Sequence, residues 1–93
     1  MSRITCYQGS VILNDQILLI KHHHYSDGRE YWLLPGGGRE EGETEEECVK
    51  REIKEETNLD VLVEKLILDQ LGEIDNYYIF YKTYLCKPLS DNA

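Results

Sequence analysis

The sequence predicts a single α/β domain in which one helix lies on a face of a mixed β-sheet. Three observations carry that expectation. β-rich segments flank one helical stretch, in the order strand, strand, strand, helix, strand, strand. The helical stretch has its own start signal, Thr44 followed three residues later by Glu47. The length of 93 residues is enough for one hydrophobic core and too short for two.

Residues Ile4 to Leu13 read as the first strand, with Gly9 as a candidate bulge. Asn14-Asp15 signals a turn, and Gln16 to His23 then reads as the return strand of a hairpin. Ser26-Asp27-Gly28 marks a loop, and Glu30 to Leu34 a short strand ending at Pro35. Gly36-Gly37-Gly38 is expected to be a flexible stretch where backbone can approach a ligand closely. The helix should start at Glu45 and run to about Thr57, with Val49 and Ile53 facing the core and Cys48 flanking them. Glu45, Glu46 and Glu47 fall in its first turn, where the helix dipole favours negative charge, and need no further role. Val61 to Asp69 reads as a strand and Gly72 to Asn76 as a turn. Tyr77 to Cys86, rich in Tyr, Ile and Phe, reads as a long strand, and the tail from Pro88 as a frayed terminus.

Composition narrows the function classes. The chain is 41% hydrophobic and 30% charged, as globular chains are. A net charge of -8 argues against binding nucleic acid or anionic membranes, which requires basic patches. An acidic protein that acts on phosphates must bring in positive charge, and a metal ion is an economical source. No apolar run is nearly long enough to span a bilayer, and no signal-peptide pattern opens the chain. Cys6, Cys48 and Cys86 are odd in number and lack CxxC spacing, which suits reduced thiols in the cytoplasm.

The stretch from Gly37 to Leu59 decides the functional reading. Glu52, Glu55 and Glu56 stand at i, i+3 and i+4, so the helix gathers them on one face, where they repel one another. Glu55 and Glu56 also lie near its C-terminus, where the dipole disfavours negative charge. A divalent cation would turn this repulsion into binding, and hard cations such as Mg2+ take oxygen ligands.

With Glu43, Arg51 and Ile53 in register, the stretch resembles the signature of the Nudix hydrolases. These are Mg2+- or Mn2+-dependent enzymes that cleave nucleoside diphosphates linked to a further group. Their box reads Gly, five residues, Glu, seven residues, Arg-Glu-aliphatic-any-Glu-Glu-any-Gly-aliphatic. The chain departs from it at one position, Asn58 for the last Gly. That residue ends the helix with positive φ, and Asn is the usual second choice for it.

The resemblance implies an α/β/α sandwich of which this chain contains the first two-thirds, without the C-terminal strand and helix. It assigns metal binding to Glu52, Glu55, Glu56 and the carbonyl of Gly37, with Mg2+ as the cation and Mn2+ as the alternative. Arg51 would brace the site through salt bridges, with Glu43 as partner, so that Arg51, Glu43, Glu52 and Glu55 form the catalytic set. Glu52 and Glu55 are candidates for the general base inside the box, and Glu73 is a weaker candidate outside it. The implied substrate is a nucleotide-like small molecule, and a catalytically weak sensor of nucleotides is the alternative. Either the chain is a truncated form or a partner chain, such as the second subunit of a homodimer, covers the exposed sheet.

Other residues read more plainly. His22 and His24 could share a strand face, yet an exposed strand end explains them. Trp32 is expected to pack in the core rather than to stack on a base. Tyr77 and Tyr78 are explained by strand propensity, and Arg3, Lys21 and Arg39 by surface solubility.

Overall fold

Strand β1 (Thr5–Leu13) organises the sheet because hydrogen bonds leave it on both edges. The computed structural model describes residues 4–23, 28, 30–72 and 78–89. Along one edge, β1 runs parallel to the last strand, from Thr5↔Phe80 to Val11↔Cys86 without interruption. Its other edge is shared by two short partners, one opposite Tyr7 and Gln8, the other opposite Ile12 and Leu13. In chain order the elements after β1 are β2 (Gln16–Ile17), β3 (Ile20–His23), β4 (Glu30–Leu33), β5 (Gly36–Gly37), α1 (Glu45–Thr57), β6 (Val61–Leu71) and β7 (Phe80–Pro88). A parallel pair such as β1 and β7 needs a long crossover, and α1 lies within it. β6 pairs antiparallel with β7 and completes a mixed sheet in the order β2-β1-β7-β6, with β5 beside β1.

Helix α1 packs on the sheet face carrying Tyr7, Val11, Tyr84 and Cys86. Together with Val49, Ile53, Val61 and Val63 these side chains form the core. The contact is close enough to require glycine at position 9. A Cβ there would lie 2.5 Å from Ile53 Cδ1 and 3.1 Å from Cys86 Sγ. Gly9 is therefore a packing glycine and not the expected bulge; the register shifts occur in β6, between Val63 and Lys65 and between Leu66 and Leu68.

The expected return strand from Gln16 to His23 is two strands. The turn at Asn14 and Asp15, both with positive φ, delivers β2 to β1 as a tight hairpin. The chain then leaves at Leu18 and Leu19, and β3 pairs with β4 in a separate two-stranded sheet. Trp32 on β4 is 62% exposed, so it is not a core residue; its ring faces the Lys21 ammonium across the hairpin at 5.9 Å. The glycine stretch is likewise ordered in part. Gly36 and Gly37 form β5, and a Cβ on Gly36 would lie 2.5 Å from Tyr7 O.

β6 is longer than its residue pattern suggests, reaching Leu71, whereas β7 is displaced from the expected Tyr77 to Cys86, beginning at Phe80 and ending at Pro88. Among the described residues α1 is the sole helix, so the single-helix layer is present and a second helical layer is not. No helix among the described residues is long and apolar enough to cross a membrane. Cys6, Cys48 and Cys86 are buried and unpaired. His24, Glu73, Tyr77, Arg3 and the loop at 26–27 fall outside the described residues.

Candidate active site

The site is built where the C-terminal half of α1 passes beneath β5. The helix begins as its sequence dictates: Thr44 Oγ1 accepts from Glu47 N at 3.1 Å, and Glu47 Oε1 accepts from Thr44 N at 2.8 Å. It ends at Asn58, which adopts φ 64° and ψ 16° and donates its N–H to Lys54 O at 2.9 Å. Asn thus fills the left-handed cap that glycine commonly takes. With Cys48, Val49 and Ile53 fixed in the core, the helical period turns Glu52, Glu55 and Glu56 toward the glycine turn.

Gly37 makes room for the first of these acids. A Cβ there would lie 2.5 Å from Glu52 Oε1, so the carboxylate sits directly against bare backbone. Glu56 reaches the same turn from one helical turn further on, its Oε1 accepting from Gly36 N at 3.0 Å. The Glu52 carboxyl lies near enough for its charge to act on Glu56. Glu56 keeps an edge in solvent, but the protein around its carboxyl displaces enough water to raise its pKa to about 7. The Gly36 N–H opposes that rise, and the charges of Glu52 and Glu55 add to it.

Arg51 occupies the centre of the acidic surface. Its Nε donates to Glu43 Oε2 at 2.6 Å and its Nη2 to Glu43 Oε1 at 3.0 Å, a bidentate pair. Nη1 reaches Glu52 Oε1 at 3.0 Å and Glu55 Oε1 at 3.2 Å, and Nη2 also reaches Gly38 O at 3.1 Å. These hydrogen bonds, Glu43 first, raise the guanidinium pKa further above its already high value. In return, Arg51 holds the Glu43 carboxyl down to about 2. Glu43 is oriented from its other side by Glu40 N at 3.0 Å, while Arg39 Nη1 donates to Glu43 O at 2.8 Å. Cys48 Sγ lies 3.8 Å from Gly37 O and donates to it, and burial pushes this thiol up to about 12.

The donor set suits a hard divalent cation. Glu52 and Glu56 offer oxygen-only ligands at the glycine turn, the first against Gly37 and the second on the Gly36 N–H. Glu55 stands on the rim, its side chain 56% exposed and tied to Arg51, whereas Glu52 is only 12% exposed. Among the described residues no three acidic, His or Cys side chains already converge as a cage. The acids thus divide into the half-buried Glu52 and the exposed Glu55 and Glu56.

A cleft of about 380 Å³ opens at this point on the sheet face away from α1. Gly36 and Glu56 form its mouth, Ile20, Leu33 and Leu34 one wall, and Gln8 and Tyr81 the side formed by the sheet. The sequence reading did not single out Gln8 or Tyr81. The alternation of β1 held the signal, because Cys6, Gln8 and Ser10 must face opposite to Tyr7, Gly9 and Val11. Missing was the knowledge that β7 runs beside β1 and brings Tyr81 and Thr83 to that face.

The NUDIX domain profile matches residues 8–88, nearly the whole chain. The chain belongs to the Nudix family. A Bacillus subtilis (strain 168) protein provisionally named as the ADP-ribose pyrophosphatase YjhB is 33% identical over 92 residues, covering 90% of this chain and 40% of the relative. The crystal structure of an ADP-ribose pyrophosphatase from Streptococcus suis 89-1591 superposes with a TM-score of 0.73 at 27% identity, covering 92% of this chain and 60% of that one. That of a UDP-X diphosphatase superposes with a TM-score of 0.71 at 25% identity, covering 97% and 44% respectively. The chain therefore spans well under two-thirds of the length of these relatives. Its strand order and helix position are those of a Nudix fold, as the likeness to these structures establishes.

Proposed function

We propose that this chain is a Nudix pyrophosphohydrolase domain that cleaves a phosphoanhydride bond in a nucleoside diphosphate-linked substrate with the help of Mg2+. The observation that carries the reading is the Glu52–Glu56 pair held against Gly37, with a carboxyl pKa raised to about 7 where a cation would relieve the repulsion. Glu52, Glu56 and the Gly37 carbonyl would hold the ion, with Glu55 joining from the rim. When bound, Mg2+ supplies the positive charge that neutralises the diphosphate oxygens, and Mn2+ can take the same ligands.

The chain's own residues do the rest. Arg51 keeps Glu43, Glu52 and Glu55 at fixed distances, so the acids are positioned before substrate arrives. Glu55 is exposed to solvent and held by Arg51, and we assign it the proton of the attacking water. The water oxygen bonds to phosphorus, the phosphorus–oxygen anhydride bond breaks, and the leaving phosphate carries away the bond electrons. No covalent enzyme intermediate is required.

Two of the named relatives carry ADP-ribose pyrophosphatase in their names and the third UDP-X diphosphatase, so ADP-ribose and UDP-linked sugars head the substrate panel. Nucleoside triphosphates and dinucleoside polyphosphates complete it. Release of nucleoside monophosphate with Mg2+ or Mn2+, lowered by Glu56→Gln, is the expected result. Binding of these nucleotides without turnover of any would instead favour a sensor domain.

The unpaired buried thiols support a cytoplasmic setting. Exposed Leu66, Ile67, Leu68 and Leu71 on β6 support a homodimer as the form that covers this strand, which sedimentation would test.

A further inference from the structure

The cleft beside the carboxylate pair has mostly apolar walls and one amide in an unusual position. Gln8 projects from β1 on the face away from α1 and donates Nε2–H to Thr83 Oγ1 at 2.9 Å. Thr83 is its register partner on β7 and is only 3% exposed, so the hydroxyl that anchors the amide is itself fixed in the sheet. A side-chain amide has one acceptor oxygen and two N–H donors. With one donor spent on Thr83, Oε1 and the second N–H stand side by side, and neither is engaged by another described residue.

A donor–acceptor fork of this kind matches the edge of a base in which an amino group adjoins a ring nitrogen, as in the pairing of Gln with adenine. With the amide held in this orientation, an oxo group at the same position would set its lone pairs against Oε1. The walls fit a flat heterocycle: Ile20, Leu33 and Leu34 on one side, and Tyr81 on the other, its ring held edge-to-face by Tyr78 at 5.9 Å. Glu56 and Gly36 at the mouth would put the attached phosphates beside the carboxylate pair.

We propose that Gln8 is the specificity-determining residue of this cleft, selecting amino-bearing bases (adenine or cytosine) over their oxo counterparts. The inference rests on the nucleotide-directed reading given above, but its test does not depend on turnover or metal. Adenosine and inosine differ in the amino group and carry no phosphate. Titrated into the protein in the presence of EDTA and followed by NMR at the Gln8 and Tyr81 amides, adenosine should bind roughly tenfold more tightly than inosine. Gln8→Leu should bring the two within about twofold. Thr83→Val, which frees the amide without removing it, should reduce the preference and serves if Gln8→Leu does not fold. Equal binding of both nucleosides by the unaltered protein, or an undiminished preference in the folded variants, would overturn the proposal. A protein that prefers adenosine but hydrolyses nothing would uphold Gln8 and remove the hydrolase reading. One that hydrolyses without base preference would do the opposite.

Discussion

The two ends of α1 carry the same residue type under opposite electrostatic conditions. At its start, Glu47 closes a capping box with Thr44, and Glu45 accepts from Tyr84 Oη and from Lys82 Nζ at 3.3 Å. These partners lower the Glu45 pKa, the Tyr84 hydrogen bond most of all. At its end, Glu56 meets burial and like charge, and its pKa rises to about 7. An acid with a lowered pKa stabilises the fold in its charged form; one with a raised pKa is held charged only at a cost. The first turn therefore anchors the helix on β7, and under the proposed function the last turns would hold charge in reserve for a cation.

Substitution at each end should break that contrast in different ways. The largest effect is expected at Glu52→Gln, which should lower turnover of the best panel substrate by about a hundredfold or more, since even partners of metal ligands cost 10–100-fold. Glu45→Gln, at the other end, should leave turnover within about twofold and instead cost about 0.5–1 kcal/mol in urea unfolding, because its ion pair is partly exposed. A second effect concerns acid stability. The Glu43 pKa lies at about 2 instead of 4.5, so its contribution is fully present above its ordinary value and is lost as the pH falls toward 2. Urea unfolding followed across that interval should lose stability less steeply in Glu43→Gln than in the unaltered chain. Thr44→Ala should cost about 1 kcal/mol by opening the capping box, without changing metal affinity. Asn58→Gly should be the smallest change, a gain of a few tenths to about 1 kcal/mol, because glycine takes positive φ without strain.

Local signals made part of this legible in the sequence. The capping box, the helix from Glu45 to Thr57, the turn at Asn14-Asp15 and the Asn58 cap all depend on residues within a few positions of one another. The resemblance carried by Glu43, Arg51 and Glu52 likewise implied an arginine among acids, and the ion pairs are present. What the sequence concealed is non-local. Nothing near Gly9 reveals that Ile53 and Cys86 press against it, so a close-packed glycine resembles a bulge. Nothing between Gln16 and His23 shows that the strand divides so that β3 can follow β4. Trp32 is apolar and mid-strand, but its strand belongs to a small hairpin with too little cover to bury it. That Glu52 lies half-buried against Gly37 while Glu55 and Glu56 stay exposed also required three dimensions, because the glycine turn comes from another part of the chain.

The central claim is that Glu56 is retained for a cation at some expense to the metal-free fold. Mn2+ titration combined with thermal unfolding, on the unaltered chain and on Glu56→Gln, tests it most directly. The account predicts that Glu56→Gln binds Mn2+ at least about tenfold more weakly, yet is as stable as the unaltered chain, or more so, when metal is absent. A variant that unfolds more readily without metal and binds Mn2+ as tightly as before would contradict it.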